Sequence, residues 1–545
     1  MSKTPLLRSL RRLFQEYRAA EASGLSVPAL REVRAEAAER AAKRGPGVRR
    51  RDLLLGAGAG ALTLALPRRA SAGPQPTIAV VGGGIAGLAC ALWLDDKGID
   101  ATVYEASGRV GGRMFTNTSS YFGGQVAEWG GELIDTGHKT VRKLAKRFDL
   151  PLDDMLAAQP AGSEDTYKFF GSYYSKAQAD IDFEPVFEAV SADEAAAPFP
   201  TLFDDHTAAG AALDGLSVHD WIETRVPGGH GSPLGRLLDA AYAIEYGADT
   251  TEQAALNLIY LLAFQPDPGS FAAFGESDER FHIRGGNQQL PEAIAQHLGI
   301  GTRVKLDHSL KKIKETPSGR YELTFKKGSS TVVKTVDYVV LALPFAVLRE
   351  IDHDQAGFDE LKGLAIQELG RGHNGKTQVQ IAQRIWNQPG PWPGVSNGST
   401  YSDTGYQASW EVTRGQPGTA GILVAYSGGS VTDALTASTP FATASNAGVQ
   451  QDACQALSRL EPVFPGVSAL WTEKAMQSIA HKSALFRASY SYYRVGQYTT
   501  FAGYEGARQG GVLFAGEHTS TDYQGFMEGG ASEGVRAAKE LFKLL

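Results

Sequence analysis

Apolar positions change their rhythm several times along the chain, and each change marks an element. Thr77 to Val81 is a short β-branched run that predicts a buried strand. Gly82-Gly83-Gly84-Ile85-Ala86-Gly87 follows, and then Leu88, Leu92 and Leu94 at helical spacing. A second apolar run, Ala101 to Tyr104, stops at Glu105. Further strands are predicted at Thr302-Arg303-Val304, over Asp337 to Leu343 ahead of Pro344, and from Lys376 towards Trp386. Helical spacing recurs over Leu237 to Phe264 and over Ser532 to Leu544, while an aromatic-rich polar stretch, Tyr167 to Tyr174, breaks the alternation. No repeat of solenoid period is present. Strands alternating with helices predict an α/β chain.

The first of these units carries chemistry. Strand, glycine turn and helix occur in the order a dinucleotide phosphate site requires. Gly82 permits the tight turn, Gly84 lets the backbone approach a pyrophosphate, and Gly87 lets helix and strand pack closely; the helix N-terminus then faces the negative charge. Glu105, twenty-one residues beyond Gly84, can accept hydrogen bonds from ribose hydroxyls. Directly after it Arg109, Gly111, Gly112, Arg113 and Thr116 form a second glycine-arginine loop. A nicotinamide cofactor has no need of that loop, whereas the second half of FAD needs donors of its own.

Composition narrows the class. The 545 residues are 43% hydrophobic and 21% charged, enough to bury two or three interleaved domains, which excludes disorder or a fibre for the bulk of the chain. Residues 1–72 carry fifteen Lys/Arg against six Asp/Glu, so the net −7 of the whole chain conceals a body at −16. An acidic body argues against a nucleic-acid partner and permits cationic substrates. Two cysteines, Cys90 and Cys454, make no disulfide framework, and no Cys/His spacing offers a metal site, so none is expected.

The basic N-terminus reads as an address. Arg49-Arg50-Arg51-Asp52 precedes an apolar run from Leu53 to Leu66, then Ala70-Ser71-Ala72 as a small-x-small cleavage site. The pair Arg50-Arg51 before Asp52-Leu53-Leu54 resembles the twin-arginine export motif. Fourteen apolar residues are short of the ~20 a membrane span needs, so export to the periplasm or exterior is expected. Leu6 to Arg44, rich in Ala, Arg and Glu, would be an unusually long leader ahead of that signal.

The glycine loops, Glu128-Trp129-Gly130-Gly131-Glu132, Arg284-Gly285-Gly286-Asn287-Gln288-Gln289-Leu290, and the terminal Leu513-Phe514-Ala515-Gly516-Glu517-His518-Thr519 with Tyr523-Gln524-Gly525-Phe526-Met527-Glu528-Gly529 together resemble the flavin amine oxidase family. That family includes monoamine, polyamine and L-amino-acid oxidases, and the resemblance runs from about Thr77 to Leu545. It implies an α/β fold: an FAD-binding Rossmann-like domain of the glycine-arginine type, interleaved with an α+β substrate domain that contains a mixed sheet and a helical subdomain. The implied order is a leader over 1–72, FAD-binding segments at 73–150, 281–345 and 501–545, a helical substrate segment at 151–280 and a second substrate segment at 346–500. The resemblance places Gly131 and Glu132 beside the flavin, the Val304 backbone against adenine, Arg113 and Glu517 on the diphosphate or ribityl side, and the helix N-terminus near Met527 at the flavin edge that gains charge on reduction.

Three positions resemble the amine-oxidising apparatus. Lys376 heads the strand in which the family's lysine holds a water over the flavin, where its charge would assist reoxidation by oxygen. Phe526 and Tyr490 match the two walls of an aromatic cage. Ser489 stands where monoamine oxidases carry a flavin-linking cysteine, so FAD is expected to bind non-covalently. His138, His282 and His518 are given no catalytic role. Glu245-Tyr246-Gly247 with Gln253 to Asn257 resembles bacterial L-amino-acid and monoamine oxidases. The arginine with which L-amino-acid oxidases clamp a carboxylate is missing after Gly131, leaving Arg371, Arg487 and Arg494 as unplaced candidates, while Asp135 and Glu132 favour a cationic substrate. The expected reaction is oxidation of an L-amino acid, a basic one in particular, or alternatively of a primary amine or polyamine, with oxygen as co-substrate. A non-oxidase flavoprotein is the remaining alternative. The expected partners are those small molecules, the export machinery and further copies of the chain.

Overall fold

The computed structural model describes residues 76–266 and 269–545. The expected leader over residues 1–72 lies outside the described residues. Among the described residues no helix is long and apolar enough to cross a membrane.

One sheet has five strands, all parallel, in the order Val512–Phe514, Tyr338–Leu341, Ile78–Val81, Thr102–Tyr104, Val304–Lys305. Every residue of Ile78–Val81 is buried, as expected of a strand covered on both faces. Val80 faces Val340 on one side and Val103 on the other. At Gly82 the chain leaves the strand with φ +112, and a Cβ there would lie 2.4 Å from the Ala342 carbonyl oxygen, so only glycine fits the turn. The helix Ile85–Asp95 then packs against the C-terminal helix Met527–Phe542 at very short range: a Cβ on Gly534 would lie 2.0 Å from the Ala86 oxygen. Apolar spacing picks up the C-terminal helix only from Ser532, because Gly529 and Gly530 in its first turn carry no side chain to show a pattern.

The second large sheet has eight strands in the order Phe441–Thr443, Trp471–Ile479, Asn374–Ile381, Gly421–Gly428, Ala408–Glu411, Val395–Ser402, Ser163–Phe169, Ser172–Tyr174. It is mixed: Val395–Ser402 runs parallel to Ser163–Phe169 and the other pairs are antiparallel. The aromatic stretch Tyr167 to Tyr174 is the hairpin at its edge, turned at Phe170 (φ +52) and Gly171 (φ +76). The expected helical run from Leu237 to Phe264 is two helices, Pro233–Tyr246 and Ala255–Leu262. Gly247 separates them in a left-handed conformation, φ +65, where a Cβ would lie 2.1 Å from Asn374 Oδ1. These helices bury nearly all their residues against the sheet and the surrounding helical layer.

Candidate active site

A cavity of about 660 Å³ joins the two halves, lined from Gly82 and Gly84 at one end to Tyr167 and Asp165 at the other. Its nucleotide end offers what a dinucleotide needs. The helices beginning at Ile85 and Met527 both open on it, and neither N-terminus has a side-chain cap, so their first N–H groups and positive dipole ends face the space. A Cβ on Gly84 would meet nothing within 4 Å, whereas one on Gly87 would lie 2.0 Å from the Gly82 oxygen; the first glycine keeps the cavity open and the second closes the packing. Two buried lining side chains lack partners among the described residues: both amide atoms of Gln524 and both ring nitrogens of His518. Burial holds the His518 imidazole down to about 4, so it is neutral. Uncapped helix ends, an open glycine face and unmet polar atoms fit a bound diphosphate and its flavin.

The flanking charges build that cradle. Glu105 accepts from the Gly83 N–H (2.8 Å) and from the Ser107 N–H and hydroxyl, leaving lone pairs on the cavity side. Arg113 donates to the Ser489 carbonyl at 2.8 Å and to Glu517 at 2.9 Å. Glu517 also accepts from the Ser491 hydroxyl (2.8 Å) and the Gly525 N–H (2.9 Å), so it staples the terminal loop to the glycine-arginine loop. Val304 departs from expectation. Its N–H donates to Gly299 and its carbonyl accepts from Gly301, and it does not line the cavity; His308 to Lys311 line it instead. Both backbone groups an adenine would use are already taken by the turn that starts the strand.

At the other end the floor is one register row of the mixed sheet. Lys376 pairs with Tyr426, Tyr426 with Ala408, Ala408 with Tyr401, and Tyr401 with Tyr167, and all five line the cavity. Lys376 Nζ donates to the Gly130 carbonyl at 2.9 Å and to Glu132 at 2.7 Å, with the pair almost fully buried. Trp410 Nε1 donates to the other Glu132 oxygen at 2.9 Å. An ammonium has three donors, so one remains for the cavity. Tyr490 and Phe526 line the same space. The Tyr490 hydroxyl donates to the Ile244 carbonyl at 2.7 Å and lies 3.2 Å from that of Tyr426, and burial pushes its pKa well up. The Phe526 ring is held edge-on by His138, 5.1 Å between centroids.

A family model for flavin containing amine oxidoreductase matches residues 85–542. The chain belongs to that family. Relatives of this amine oxidoreductase include an L-amino-acid oxidase of Pseudechis australis, 23% identical over 485 residues that cover 85% of this chain and 86% of that one. A nicotine dehydrogenase of Pseudomonas putida is 25% identical over 480 residues, covering 86% and 88%. Cyclohexylamine oxidase from Brevibacterium oxydans superimposes with a TM-score of 0.71 at 21% identity, and putrescine oxidase bound to putrescine with 0.71 at 18%; each covers 86% of this chain and 99% of the other. A flavin cofactor follows from membership, and the superpositions establish the same α/β architecture.

Within the amine oxidoreductase several expectations shift. Asp135 does not line the cavity: its carboxylate accepts from the Ser277 hydroxyl (2.8 Å) and the Glu279 N–H (3.0 Å), in a buried turn with His138. Burial holds His138 down to about 4, while His282 bonds Glu128 at 2.8 Å; neither lines the cavity. Arg371 and Arg494 are exposed and off the cavity, and Arg487, which lines its nucleotide side, pairs with Glu350 at 3.2 Å. The cationic side chain lining the substrate end besides Lys376 is one the sequence did not suggest, Arg414, which donates to Ser399 at 2.8 Å. Glu245 and Glu279 line the space too. Burial raises both carboxyls, Glu279 to about 8, with the charges of Asp135, Glu245 and Glu132 adding to it and Arg414 opposing. Loop residues such as Arg414 and Glu279 have no periodicity to betray them. The fold also brings together two groups that residue spacing did not suggest, His219, Glu223 and His230, and His373, Asp433 and His481; in each the carboxylate hydrogen-bonds an imidazole, and both lie off the cavity.

Proposed function

We propose that the chain is an FAD-dependent oxidase that takes a hydride from the carbon bearing an amino group, giving an imine that water hydrolyses to a carbonyl compound and ammonia. The two electrons and two protons end on oxygen as hydrogen peroxide. Bound FAD would supply the hydride acceptor. The observation that carries this reading is Lys376: a buried lysine on the cavity wall, fixed by Gly130 and Glu132, with one donor left for oxygen or its reduced forms. Tyr490 and Phe526 would exclude water and orient the amine. Ser489, whose hydroxyl bonds Asn374 at 2.5 Å, offers no thiol for a flavin link, and Cys90 and Cys454 lie off the cavity, which supports non-covalent binding.

The substrate is an amine of one of two classes. Arg414, able to meet a carboxylate, and the relatives named L-amino-acid oxidase support an L-amino acid, a basic one in particular, that would yield a 2-oxo acid. Glu245 and Glu279, acidic side chains on the cavity wall, support a primary amine or polyamine that carries no carboxylate. A peroxide-coupled assay across the amino acids and a panel of amines tests the reading; flavin-loaded protein that oxidises no amine refutes it. We further propose that residues 1–72 are a twin-arginine leader cleaved after Ala72, that the enzyme is exported, and that it works as a homo-oligomer. N-terminal sequencing of the exported protein and light scattering test these points.

A further inference from the structure

We propose that His219, Glu223 and His230 form a binding site for a divalent metal ion of the zinc class, which clamps the helix Val218–Arg225 to the turn that opens the helix Pro233–Tyr246. The site lies apart from the cavity and is independent of the amine-oxidase reading.

Helix spacing and a glycine turn bring the three side chains together. His219 and Glu223 are four residues apart in Val218–Arg225 and so share one face of that helix. The chain then turns at Gly228 (φ +80) and Gly229 (φ +49) and returns His230 to that face. A Cβ on Gly229 would lie 2.4 Å from Glu223 Oε2, so only glycine lets the turn come this close to the carboxylate. His230 donates its backbone N–H to Glu223 Oε1 at 3.1 Å and sets its Nδ1 2.5 Å from the same oxygen. One ligand atom from each of the three residues lies within 4.8 Å of the others.

Hydrogen-bond donors are short at this point. His230 Nε2 lies 3.4 Å from Asp239 Oδ1, so both of its ring nitrogens face carboxylates. A neutral imidazole has one N–H and cannot serve both. Either a second proton or a metal ion must stand between Nδ1 and Glu223. Three carboxylates, Asp220, Glu223 and Asp239, surround the two imidazoles, which favours the doubly charged ion. A proton satisfies His230 alone, whereas a metal ion engages His219 as well.

The outer contacts are those of a metal site. Metal-bound imidazoles give their other N–H to a carboxylate or carbonyl, which fixes the ring. Asp239 holds that place behind His230, and Asp220 stands 3.3 Å from His219 Nδ1, leaving Nε2 for an ion. Thr250 steadies the frame: its hydroxyl donates to Asp239, and its carbonyl accepts from the His219 N–H at 3.1 Å. The two rings are stacked, 4.3 Å between centroids and 20° between planes. An ion lies in the plane of each imidazole that binds it, so capture turns one ring out of the stack; His219, with 38% of its side chain exposed, has the room. His373, Asp433 and His481 lack such a second layer. One Asp433 oxygen serves both imidazoles there, and His481 Nδ1 is buried with no hydrogen-bond partner among the described residues. Two nitrogens and a carboxylate oxygen suit zinc, which would keep a water in its fourth position. The clamped helix ends at Glu245 and Tyr246 on the cavity wall, so the ion would stiffen that wall from outside.

The test strips the full-length holoenzyme with a chelator and titrates zinc alone, by calorimetry and in competition with a chromogenic chelator. One equivalent is expected to depend on this site: His219→Ala and His230→Gln should each abolish it, and Asp239→Asn should weaken it about ten- to a hundredfold, because Asp239 positions a ligand without touching the ion. The zinc-edge X-ray absorption spectrum should show imidazole ligation at about 2.0–2.2 Å, lost in His219→Ala. At a hundredfold excess over its Kd, zinc should raise the thermal midpoint of the wild type by about 3 °C and leave that of His219→Ala unchanged. The flavin spectrum verifies that each variant is folded and loaded. No zinc uptake by the wild type would show that a second proton alone fills the gap, and would overturn the proposal. Uptake that survives both histidine variants, or is lost in His373→Ala instead, would overturn it too. None of these readouts needs amine turnover, so failure of the oxidase reading would leave the proposal standing.

Discussion

Replacing Lys376 by methionine separates what the lysine does for the fold from what it does for oxygen. The Lys376–Glu132 pair is 2.7 Å apart with side chains 10% and 5% exposed. At an effective dielectric near 20 its attraction is about 6 kcal/mol, most of it offset by the desolvation of both ions. Removing the cation leaves a buried carboxylate that keeps only the Trp410 N–H. Breaking one side of a buried pair costs about 3–5 kcal/mol, and the surviving hydrogen bond places Lys376→Met near the lower figure. For a chain of this length that is a fall of about 3 °C in the thermal midpoint. Adding Glu132→Gln removes the stranded charge, so the double variant should recover about 2 °C of it. Oxygen chemistry should not recover with it: in stopped-flow experiments both variants should show slow flavin reoxidation beside near-normal anaerobic reduction. A double variant no more stable than the single one would refute the electrostatic account. Equal slowing of the two half-reactions would show that the lysine does not serve oxygen.

Phe526→Ala should slow amine-dependent flavin reduction in anaerobic stopped flow while the flavin absorbance shows cofactor still bound; loss of the yellow colour on purification would mean the ring is structural. Gly84→Ala should leave apoprotein stability unchanged but weaken flavin binding in a titration, because its Cβ enters open cavity, whereas Gly87→Ala, 2.0 Å from the Gly82 oxygen, should fail to fold. Glu279 has its carboxyl raised to about 8 by burial and by Asp135, Glu245 and Glu132, against Arg414. Its contribution to stability is therefore present below about pH 4.5 and lost as pH rises through 8, so Glu279→Gln should gain on wild type between pH 5 and 8.5 in urea midpoints; parallel curves would contradict it.

The nucleotide half was legible because its signals are local. A buried parallel strand reads as an unbroken apolar run, and the glycines of the turn stand beside it in sequence, so Ile78–Val81, Gly82 and the helix from Ile85 follow from a dozen neighbouring residues. The substrate half was legible in outline only. Its floor is a row of residues scattered from Tyr167 to Tyr426 and aligned solely by strand register, so Tyr426 and Tyr401 carried no signal beside Lys376. Asp135 and Val304 were expected at the site because the motif places them near it. Side-chain direction and backbone pairing decided otherwise: Asp135 turns into the Ser277–Glu279 loop, and the Val304 backbone is consumed by the Gly299–Gly301 turn. Arg414 and Glu279 lie on connections, where sequence predicts a turn but not the face it presents.

An acidic cavity poses a problem for amine oxidation that the arrangement of its charges resolves. Carboxylates favour the ammonium form, yet only the free amine has the lone pair that helps a hydride leave. Glu132 would not hold the reacting nitrogen as a cation, because its charge is already matched by Lys376 and Trp410. A nitrogen held between Phe526 and Tyr490, which line the same cavity, would stand among ring faces where desolvation disfavours the charged form. Desolvation would thus remove the substrate's charge where the hydride leaves, and no dedicated protein base is required there.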